Sequence, residues 1–210
     1  MEILDTRDVP NATPVNTTNL IVGTVDSETI NAATGTEVYS GAGNDLVISA
    51  GTIKAHLGAG SDEFRAGLGS AEFVDGGAGT DLLDTTSWGG DYVIDMITGV
   101  TNYSDSFTNF ENVITGAGND TITGTSGANT INTGLGNDII SGGGGTDTIN
   151  AGGGNDTVTI ASGDGLDVTD GGAGTDTLVY TGTSGPITFN LASGSLNNRP
   201  ADAGRFRLRG

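Results

Sequence analysis

Residues 115–159 read TGAGNDTIT GTSGANTIN TGLGNDIIS GGGGTDTIN AGGGNDTVT, which is five nine-residue segments in succession without a gap. The sixth residue of each segment is Asp or Asn, namely Asp120, Asn129, Asp138, Asp147 and Asp156. The eighth is a branched apolar residue, namely Ile122, Ile131, Ile140, Ile149 and Val158. Turn-forming residues fill the space between, so the period predicts three-residue strands separated by six-residue turns. Because strand side chains alternate, the central residue of each strand is expected to point inward.

Weaker copies of the segment continue in both directions. Downstream copies place Asp167 and Asp176 in the acidic position, and upstream copies place Asp45, Asp62 and Asp81 there. Degenerate copies fill the upstream gaps with three pairs of acidic-position and apolar residues, Glu28 with Ile30, Glu37 with Tyr39, and Ala71 with Phe73. The stretch GTIKAH occupies another half-coil, in which His56 is expected to be an exposed strand residue and Lys54 a positive charge that takes the place of an ion.

The segments resemble the nonapeptide repeats of the RTX (repeats-in-toxin) family, G-G-x-G-x-D-x-U-x with U a large apolar residue. This resemblance implies an all-β fold, a right-handed parallel β-roll or β-solenoid whose coils take two repeats, or about 18 residues. Turns would then alternate between two edges. In the second half, one edge would carry Asp120, Asp138, Asp156 and Asp176, and the other Asn129, Asp147 and Asp167. In the first half, one edge would carry Glu28, Asp45, Asp62 and Asp81, and the opposite edge would be poor in ligands.

Carboxylates stacked at coil spacing, about 4.8 Å, repel one another unless a cation lies among them. Calcium is the natural partner because it accepts 6–8 oxygens, backbone carbonyls included, and glycine turns can aim carbonyls at an ion. The resemblance places each ion between turns of neighbouring coils, held by pairs such as Asp120/Asp138, Asp138/Asp156, Asp156/Asp176, Asp147/Asp167, Asp45/Asp62 and Asp62/Asp81. It implies about six strong Ca²⁺ sites, with two weaker ones at the Glu28 and Asn129 turns.

The glycines expected in these calcium turns are Gly41, Gly43, Gly58, Gly60, Gly77, Gly79, Gly116, Gly118, Gly134, Gly136, Gly143, Gly145, Gly152, Gly154, Gly172 and Gly174. A plain β-solenoid, in which Asp and Asn merely favour turns, is the alternative. It explains the glycines but not the preference for Asp at the sixth position. Zinc is disfavoured because the chain has no Cys and only one His.

Composition excludes several classes of protein. The 38 glycines would suit collagen only with a three-residue period and many prolines, and the chain has 4 Pro. A formal charge of −19 argues against nucleic acid as a partner. No transmembrane segment and no basic, apolar signal peptide are evident in the sequence.

The chain divides by pattern into six segments. Residues 85–114 hold five aromatic residues, Trp88, Tyr92, Tyr103, Phe107 and Phe110, and DYVIDMITG within them predicts a longer strand. This insertion is interpreted as a packing module, with a glycan- or partner-binding patch as the alternative. The full division is a linker or cap (1–19), a first repeat block (20–84), the insertion (85–114), a second repeat block (115–178), capping strands (179–198) and a disordered basic tail (199–210), for which part of an export signal is the alternative.

The sequence thus predicts a calcium-binding repeat module of an exported bacterial protein, secreted by type I machinery and folding when it meets calcium outside the cell. One alternative is adhesion to a cell-surface or glycan partner. Ice binding is disfavoured because Ala117, Leu135, Gly144 and Gly153 stand where a regular threonine array would be needed. Another alternative is the non-catalytic C-terminal domain of a secreted hydrolase. The segment itself is expected not to be an enzyme, since it has neither H-E-x-x-H nor G-x-S-x-G.

Overall fold

Short β-strands make up the computed structural model of this chain. It describes residues 15–17, 19–69, 71–161, 165–181 and 205–209, the first and last of these as backbone only. Within these ranges there is no helix, and accordingly none long and apolar enough to cross a membrane. The expectation of an all-β fold is confirmed.

Most strands are three residues long, as the nine-residue period predicts. The strands are β1 (Val15–Thr17), β2 (Leu20–Thr24), β3 (Thr29–Ala32), β4 (Glu37–Gly41), β5 (Leu46–Ser49), β6 (Lys54–His56), β7 (Ala59–Gly60), β8 (Glu63–Arg65), β9 (Phe73–Asp75), β10 (Ala78–Gly79), β11 (Leu82–Asp84), β12 (Val93–Asp95), β13 (Val100–Thr101), β14 (Ser106–Thr108), β15 (Asn112–Ile114), β16 (Thr121–Thr123), β17 (Thr130–Asn132), β18 (Ile139–Ser141), β19 (Thr148–Asn150), β20 (Gly153–Gly154), β21 (Thr157–Ile160), β22 (Val168–Asp170), β23 (Ala173–Tyr180) and β24 (Arg205–Arg209).

The chain forms two compact units. The first unit contains the described residues of 1–87 and 98–112, and the second contains those of 88–97 and 113–210. Residues 85–114, treated above as one insertion, therefore contribute to both units.

The first unit is a parallel β-solenoid with two main sheets. One sheet has the order β2-β4-β6-β9-β14 and the other has the order β3-β5-β8-β11. Successive strands of a sheet are paired in register, for example Val38 with Ala55 and Ala55 with Val74. The chain alternates between the sheets, so each coil contributes one strand and one turn to each side.

The second unit repeats this architecture with a more regular spacing. Its sheets have the orders β12-β16-β18-β21-β23 and β15-β17-β19-β22. Ile122, Ile140, Val158 and Leu178 follow one another in register along the first of these sheets. The 18-residue coil predicted from the sequence is confirmed.

The core is a stack of single inward side chains from successive strands. Ile122, Ile131, Ile140, Ile149 and Val158 are all at most 2% exposed. In the first unit the larger rings of Phe64 and Phe107 lie 5.9 Å apart between centroids and fill the same position. Burial of one branched or aromatic side chain per strand provides the hydrophobic stabilisation of each coil.

One sheet of the first unit has a register one residue different from that expected. Val38 and Val74 are buried, whereas Tyr39 and Phe73, expected to be inward, are 42% and 52% exposed. A shift of one residue exchanges the two faces of a strand. The register is set by pairing with Ile21 and Ala55, which are also inward. The acidic position on that side consequently belongs to Thr36 and Glu72 rather than to Glu37 and Ala71. His56 is exposed, as expected, and Lys54 is exposed as well.

The aromatic insertion adds strands to the solenoid. Tyr92, Phe107 and Phe110 are at most 5% exposed, and Phe107 contacts Phe110 edge-on. In place of one longer strand over DYVIDMITG, the structure has the three-residue β12 followed by a turn, because β12 pairs with a strand that is itself only three residues long.

Antiparallel strands flank one sheet of each unit at its outer strand. β1 pairs with β2, and β24 pairs with β23. The capping strands expected over 179–198 lie outside the described residues beyond 181. Within the tail that the sequence analysis treats as disordered, Arg205–Arg209 form β24.

Candidate metal centre

Acidic residues of successive turns are stacked in three columns. The first column belongs to the first unit and contains Glu28, Asp45, Asp62, Asp81 and Glu111. The second unit has two: the second column contains Asp120, Asp138, Asp156 and Asp176, and the third contains Asn129, Asp147 and Asp167. Eight of the nine predicted aspartates are at most 3% exposed, and Asp167 is half-buried.

Each column is a ladder of hydrogen bonds between turns. In the second column, the backbone N–H of Asp120 donates to Oδ1 of Asp138 at 2.8 Å, and the N–H of Asp138 donates to Oδ1 of Asp156 at 2.8 Å. The ladder continues to Asp176 at 3.0 Å. The bonds run with the same polarity in the first column, from Asp45 to Asp62 and from Asp62 to Asp81 at 2.7 and 2.8 Å. The carboxylates therefore line up at coil spacing, as the repeats predicted.

The third column is shorter. Asn129 donates its N–H to Oδ1 of Asp147 at 2.8 Å, and Asp147 donates to Oδ1 of Asp167 at 2.9 Å. The predicted partners are thus brought together in this column as well, one step apart each time.

The second oxygen of several column carboxylates is buried without a hydrogen bond. Among the described residues, no donor reaches Oδ2 of Asp45, Asp62, Asp81, Asp138 or Asp156. A hydroxyl lies close to two of these carboxyls, that of Ser40 beside Asp45 and that of Thr133 beside Asp138. Each hydroxyl has one hydrogen, and it is donated to a backbone carbonyl, that of Leu57 or Ala151, at 2.5 and 3.0 Å. A buried carboxylate oxygen without a hydrogen-bond donor is costly, and a cation is a partner that would offset this cost.

Asp120 differs from these residues because a hydroxyl does reach it. Thr115 Oγ1 lies 2.5 Å from Oδ2 of Asp120 and 2.9 Å from the carbonyl oxygen of Thr133. In turns that hold Gly142 or Gly171 at the equivalent position, this hydroxyl is missing, and a Cβ there would lie 2.2 or 2.6 Å from the carboxylate. The position five residues before each aspartate is therefore packed tightly against it.

Burial also makes the column carboxyls hard to ionise in the absence of a cation. Desolvation raises the pKa of Asp45 to about 7 and the pKa values of Asp81 and Asp156 to about 6. The pKa values of Asp62, Asp120, Asp138 and Asp176 are raised for the same main reason. A cation in the columns would favour the ionised carboxylates and reverse this effect.

The predicted glycines let neighbouring turns approach closely. Of the sixteen, all but Gly116 have a positive φ. At Gly136, where φ is 138°, a Cβ would lie 1.7 Å from the carbonyl oxygen of Gly118 in the preceding coil. Only glycine fits there, and backbone oxygens are consequently packed between the turns beside the carboxylates.

The donor set of the columns fits calcium. It consists of buried carboxylate oxygens, with carbonyl and hydroxyl oxygens close by, and these are the oxygen ligands that Ca²⁺ prefers. In the part of the chain that the structure describes, no three acidic or histidine side chains converge on one point. An ion between two column residues would therefore depend on backbone oxygens as well.

Glu111 also belongs to the first column, although it was not predicted from the sequence. The N–H of Asp81 donates to Oε2 of Glu111 at 2.8 Å, so Glu111 extends the first column past the insertion. The signal was present in the sequence, because Val113 follows Glu111 by two residues and is fully buried. Every other column residue except Asp167, which is followed by Thr169, has a buried apolar residue at this spacing.

Glu72 and Asp105 form a second missed pair, on the other side of the first unit. Glu72 is 1% exposed, and its N–H donates to Oδ1 of Asp105 at 3.0 Å. The carboxylate of Glu72 accepts a hydrogen bond from Ser49 Oγ at 2.5 Å. The preceding coil has the buried Ile53 at the equivalent position, so these two acids do not continue into a column.

Comparison with protein families identifies one match. The RTX calcium-binding nonapeptide repeat (4 copies) matches residues 108–140, 123–158 and 159–178. No curated protein matches the chain. The matched ranges contain the second and third columns, with their repeated aspartates and glycine turns. Residues 108–178 of this chain are therefore RTX calcium-binding nonapeptide repeats.

Proposed function

We propose that this chain is a module of an exported bacterial protein that folds when Ca²⁺ binds to its acidic columns outside the cell. The observation that carries the proposal is the set of buried carboxylate oxygens without hydrogen-bond donors in Asp45, Asp62, Asp81, Asp138 and Asp156. Such atoms destabilise a folded chain unless a cation is present, and the RTX repeats are calcium-binding repeats.

The proposed ions lie between successive residues of a column. The second column supplies Asp120/Asp138, Asp138/Asp156 and Asp156/Asp176, the third supplies Asp147/Asp167, and the first supplies Asp45/Asp62 and Asp62/Asp81. We add Glu111, which extends the first column at Asp81. About six Ca²⁺ would bring the formal charge of −19 to about −7. When bound, the ion supplies positive charge between stacked carboxylates.

Coupled folding and binding follows from the same charges. Ligands that bind only the folded state stabilise it by mass action, and several ions on one solenoid act together. Because extracellular modules typically bind calcium at about 10⁻⁴–10⁻³ M, the chain would stay unfolded in the cytosol and fold after export by a type I route.

Circular dichroism with a divalent-ion control tests this proposal. At neutral pH and growth temperature, above its melting temperature without the ion, the chain should lack its strand spectrum in EDTA, acquire it in millimolar Ca²⁺, and acquire much less in equal Mg²⁺, which requires a smaller octahedral site. Isothermal titration should then give a stoichiometry of about six. A strand spectrum that is identical in EDTA and in calcium, with no heat of binding, would overturn the proposal.

We further propose that the described part of the chain is non-catalytic. The chain's only histidine, His56, stacks on Tyr39 with ring centroids 4.9 Å apart, and its Nδ1 lies 3.9 Å from Asp75 Oδ2. Ser106, which lines the same groove, is two strands away from His56 on a different row of side chains. Two strand spacings are about 10 Å, which is too far for a serine–histidine hydrogen bond. Hydrolase activity lost on His56→Ala would contradict this.

Adhesion is a second candidate, favoured by one exposed face of the first unit. Tyr39 and Phe73 are exposed there, beside Lys54 and His56, and a groove of about 470 Å³ runs between the rows of side chains. The exposed large apolar residues on other strands, such as Val93, Ile139 and Val168, are aliphatic rather than aromatic. A glycan array with calcium-loaded protein, compared with Tyr39→Ser and Phe73→Ser, tests this candidate.

A further inference from the structure

The residue immediately before each aspartate of the second column forms a ladder of its own. Asn119 Oδ1 accepts the backbone N–H of Asn137 at 2.9 Å, and Asn137 Oδ1 accepts that of Asn155 at 2.7 Å. The ladder begins with Asp91, whose Oδ1 accepts the N–H of Asn119 at 2.6 Å. It ends where Asn155 Oδ1 accepts the N–H of Thr175 at 2.9 Å. We call Asp91, Asn119, Asn137 and Asn155 the asparagine ladder.

This ladder runs in the opposite direction to the column beside it. Asn119 accepts the N–H of the following coil, whereas Asp138 accepts the N–H of the preceding coil, that of Asp120. Each pair of successive turns is thus joined by two side chains that reach towards each other's backbone. A relative shift of the turns along the solenoid would lengthen at least one of these two bonds.

The ladder is not needed to satisfy buried groups. Asn119, Asn137 and Asn155 are exposed, so water could accept their backbone N–H groups. The amide groups also touch, since Nδ2 of Asn137 lies 3.2 Å from Oδ1 of Asn119. An uncharged amide supplies the acceptor without adding a negative charge beside the column carboxylates.

The other two columns provide an internal comparison. The first column has the same device, in which Ser27 Oγ accepts the N–H of Asn44 and Asn44 Oδ1 accepts the N–H of Ser61, at 2.9 and 2.8 Å. The third column has Ala128, Thr146 and Leu166 at these positions. Among the described residues of the third column no such bond forms, and Ala128 has no side-chain acceptor to offer.

We propose that the asparagine ladder is a positioning element that holds the turns of the second column in register as the chain folds around its ions, so that this column takes up Ca²⁺ at a lower concentration than the third column. The inference depends on the proposed calcium-dependent folding. Turns already held in register lose less conformational entropy when they close around an ion, and pre-organisation of this kind raises affinity. The contribution of each bond should be that of one net hydrogen bond, about three- to tenfold in the calcium midpoint.

The order of binding can be read in the unmodified chain by nuclear magnetic resonance. Backbone amide signals of Asn137 and Asn155 report on the second column, and those of Thr146 and Leu166 report on the third. During a calcium titration, the folded signals of Asn137 and Asn155 should appear first. Simultaneous appearance of both sets, or appearance of the third-column set first, would overturn the inference.

Three variants separate positioning from simple stability. Asn137→Ala introduces the residue that the third column has at the equivalent position, Ala128. It should raise the calcium concentration at the midpoint of second-column binding about three- to tenfold. Asn137→Ser should restore most of this loss, because a serine oxygen accepts the same bond at Ser27. Asn150→Ala removes an exposed asparagine from the outer face of β19 and should change neither midpoint.

Thermal unfolding in saturating calcium completes the test. A positioning role predicts that Asn137→Ala changes the midpoint of the second column more than that of the third, with little change in the melting temperature of the calcium-loaded protein. Equal shifts in both columns, together with a lower melting temperature, would show a structural role only. If the unmodified chain binds no calcium, the proposed function fails; if it binds calcium and Asn137→Ala behaves like Asn150→Ala, only the ladder inference fails.

Discussion

Asp120 donates its backbone N–H to Oδ1 of Asp138 at 2.8 Å, while Oδ2 of Asp138 is buried and receives no hydrogen bond from the described residues. One oxygen of the same carboxylate thus fixes the distance between two turns, and the other is left for a cation. The hydrogen bond to Oδ1 needs only an oxygen acceptor, whereas cation binding at Oδ2 needs the negative charge of the carboxylate. The two roles can therefore be separated by substitution.

Asp138→Asn should separate them. The amide oxygen can still accept the N–H of Asp120, but the charge next to Asp120 and Asp156 is lost. We expect calcium affinity in the second column to fall by at least about tenfold. Loss of a residue that only supports a metal ligand already costs about this much, and loss of a charged ligand should cost no less. Isothermal titration measures this effect. Asp95→Asn, which neutralises an aspartate at the end of β12 and keeps the acceptor for the N–H of Ile97, is the matched control and should leave affinity unchanged. If the two variants bind calcium with equal affinity, Asp138 is not a calcium ligand.

Gly136→Ala should prevent close packing of the second column. The new methyl group would lie 1.7 Å from the carbonyl oxygen of Gly118, at a φ of 138° that L side chains rarely adopt. The loss of stability should exceed the roughly 1 kcal/mol of an ordinary Gly/Ala exchange. Gly127→Ala occupies the same repeat position on the other edge, where the nearest atom to the new methyl would be Thr125 Oγ1 at 3.8 Å.

Thermal melts of both glycine variants in saturating calcium give the comparison. Gly127→Ala should melt within a few degrees of the unmodified chain, because the space is open, whereas Gly136→Ala should melt far lower or fail to fold. If both variants behave alike, the close approach of the Gly118 carbonyl is not what requires glycine at position 136.

Much of the fold could be predicted from the sequence because the nine-residue period is unbroken in the part of the chain where each strand buries a single apolar side chain. Between Thr115 and Thr159 one inward apolar residue and one Asp or Asn recur every nine positions, so strand, turn and column follow from a single period. The pairings Asp120–Asp138 and Asp147–Asp167 required only the 18-residue coil.

Prediction failed where two neighbouring residues compete for the inward position. In EVYS and AEFV the aromatic residue is the more hydrophobic candidate, yet Val38 and Val74 are buried and Tyr39 and Phe73 are exposed. Pairing with the strands on either side decides the register, and a local window of sequence does not contain that information. Glu72 was therefore missed, although the spacing from Glu72 to Val74 was available.

Without calcium, the folded chain should become less stable as the pH rises. Burial raises the pKa of Asp45 to about 7 and those of Asp81 and Asp156 to about 6, from an ordinary value of 3.8. A carboxyl with a raised pKa binds more protons in the folded state, so its contribution is present below the ordinary value and is lost as pH rises through the folded value. The loss should fall between about pH 4 and pH 7.

Melting temperatures in EDTA at about pH 5.5 and pH 8, repeated in saturating calcium, test this pH dependence. In EDTA the melting temperature should be higher at the lower pH. In calcium the order should reverse, because protons compete with Ca²⁺ for the carboxylates. A melting temperature that rises with pH in EDTA would show that the column carboxyls are not destabilising when ionised.

Glu72→Gln should stabilise the first unit at high pH without altering calcium binding. Glu72 is 1% exposed, and burial raises its pKa to about 7, so at pH 8 the folded chain holds a buried negative charge close to Asp105. Glutamine keeps the acceptor for Ser49 Oγ and removes that charge. The melting temperature in EDTA should therefore rise most at pH 8 and less at about pH 5.5, where Glu72 is mostly protonated in the folded state but ionised in the unfolded chain. It should stay nearly unchanged only below the ordinary value, at about pH 4.

Calcium stoichiometry distinguishes this role of Glu72 from that of a ligand. Since the buried Ile53 stands at the equivalent position of the preceding coil, Glu72 lacks an acidic neighbour on that side, and we expect the same number of bound ions before and after the substitution. Glu63→Gln, on the outer face of β8 where Glu63 pairs with Arg65, is the control for loss of one negative charge. If Glu72→Gln reduces the stoichiometry by one ion and Glu63→Gln does not, then Glu72 and Asp105 hold calcium, and the interpretation of Glu72 as a buried carboxyl outside the metal sites is wrong.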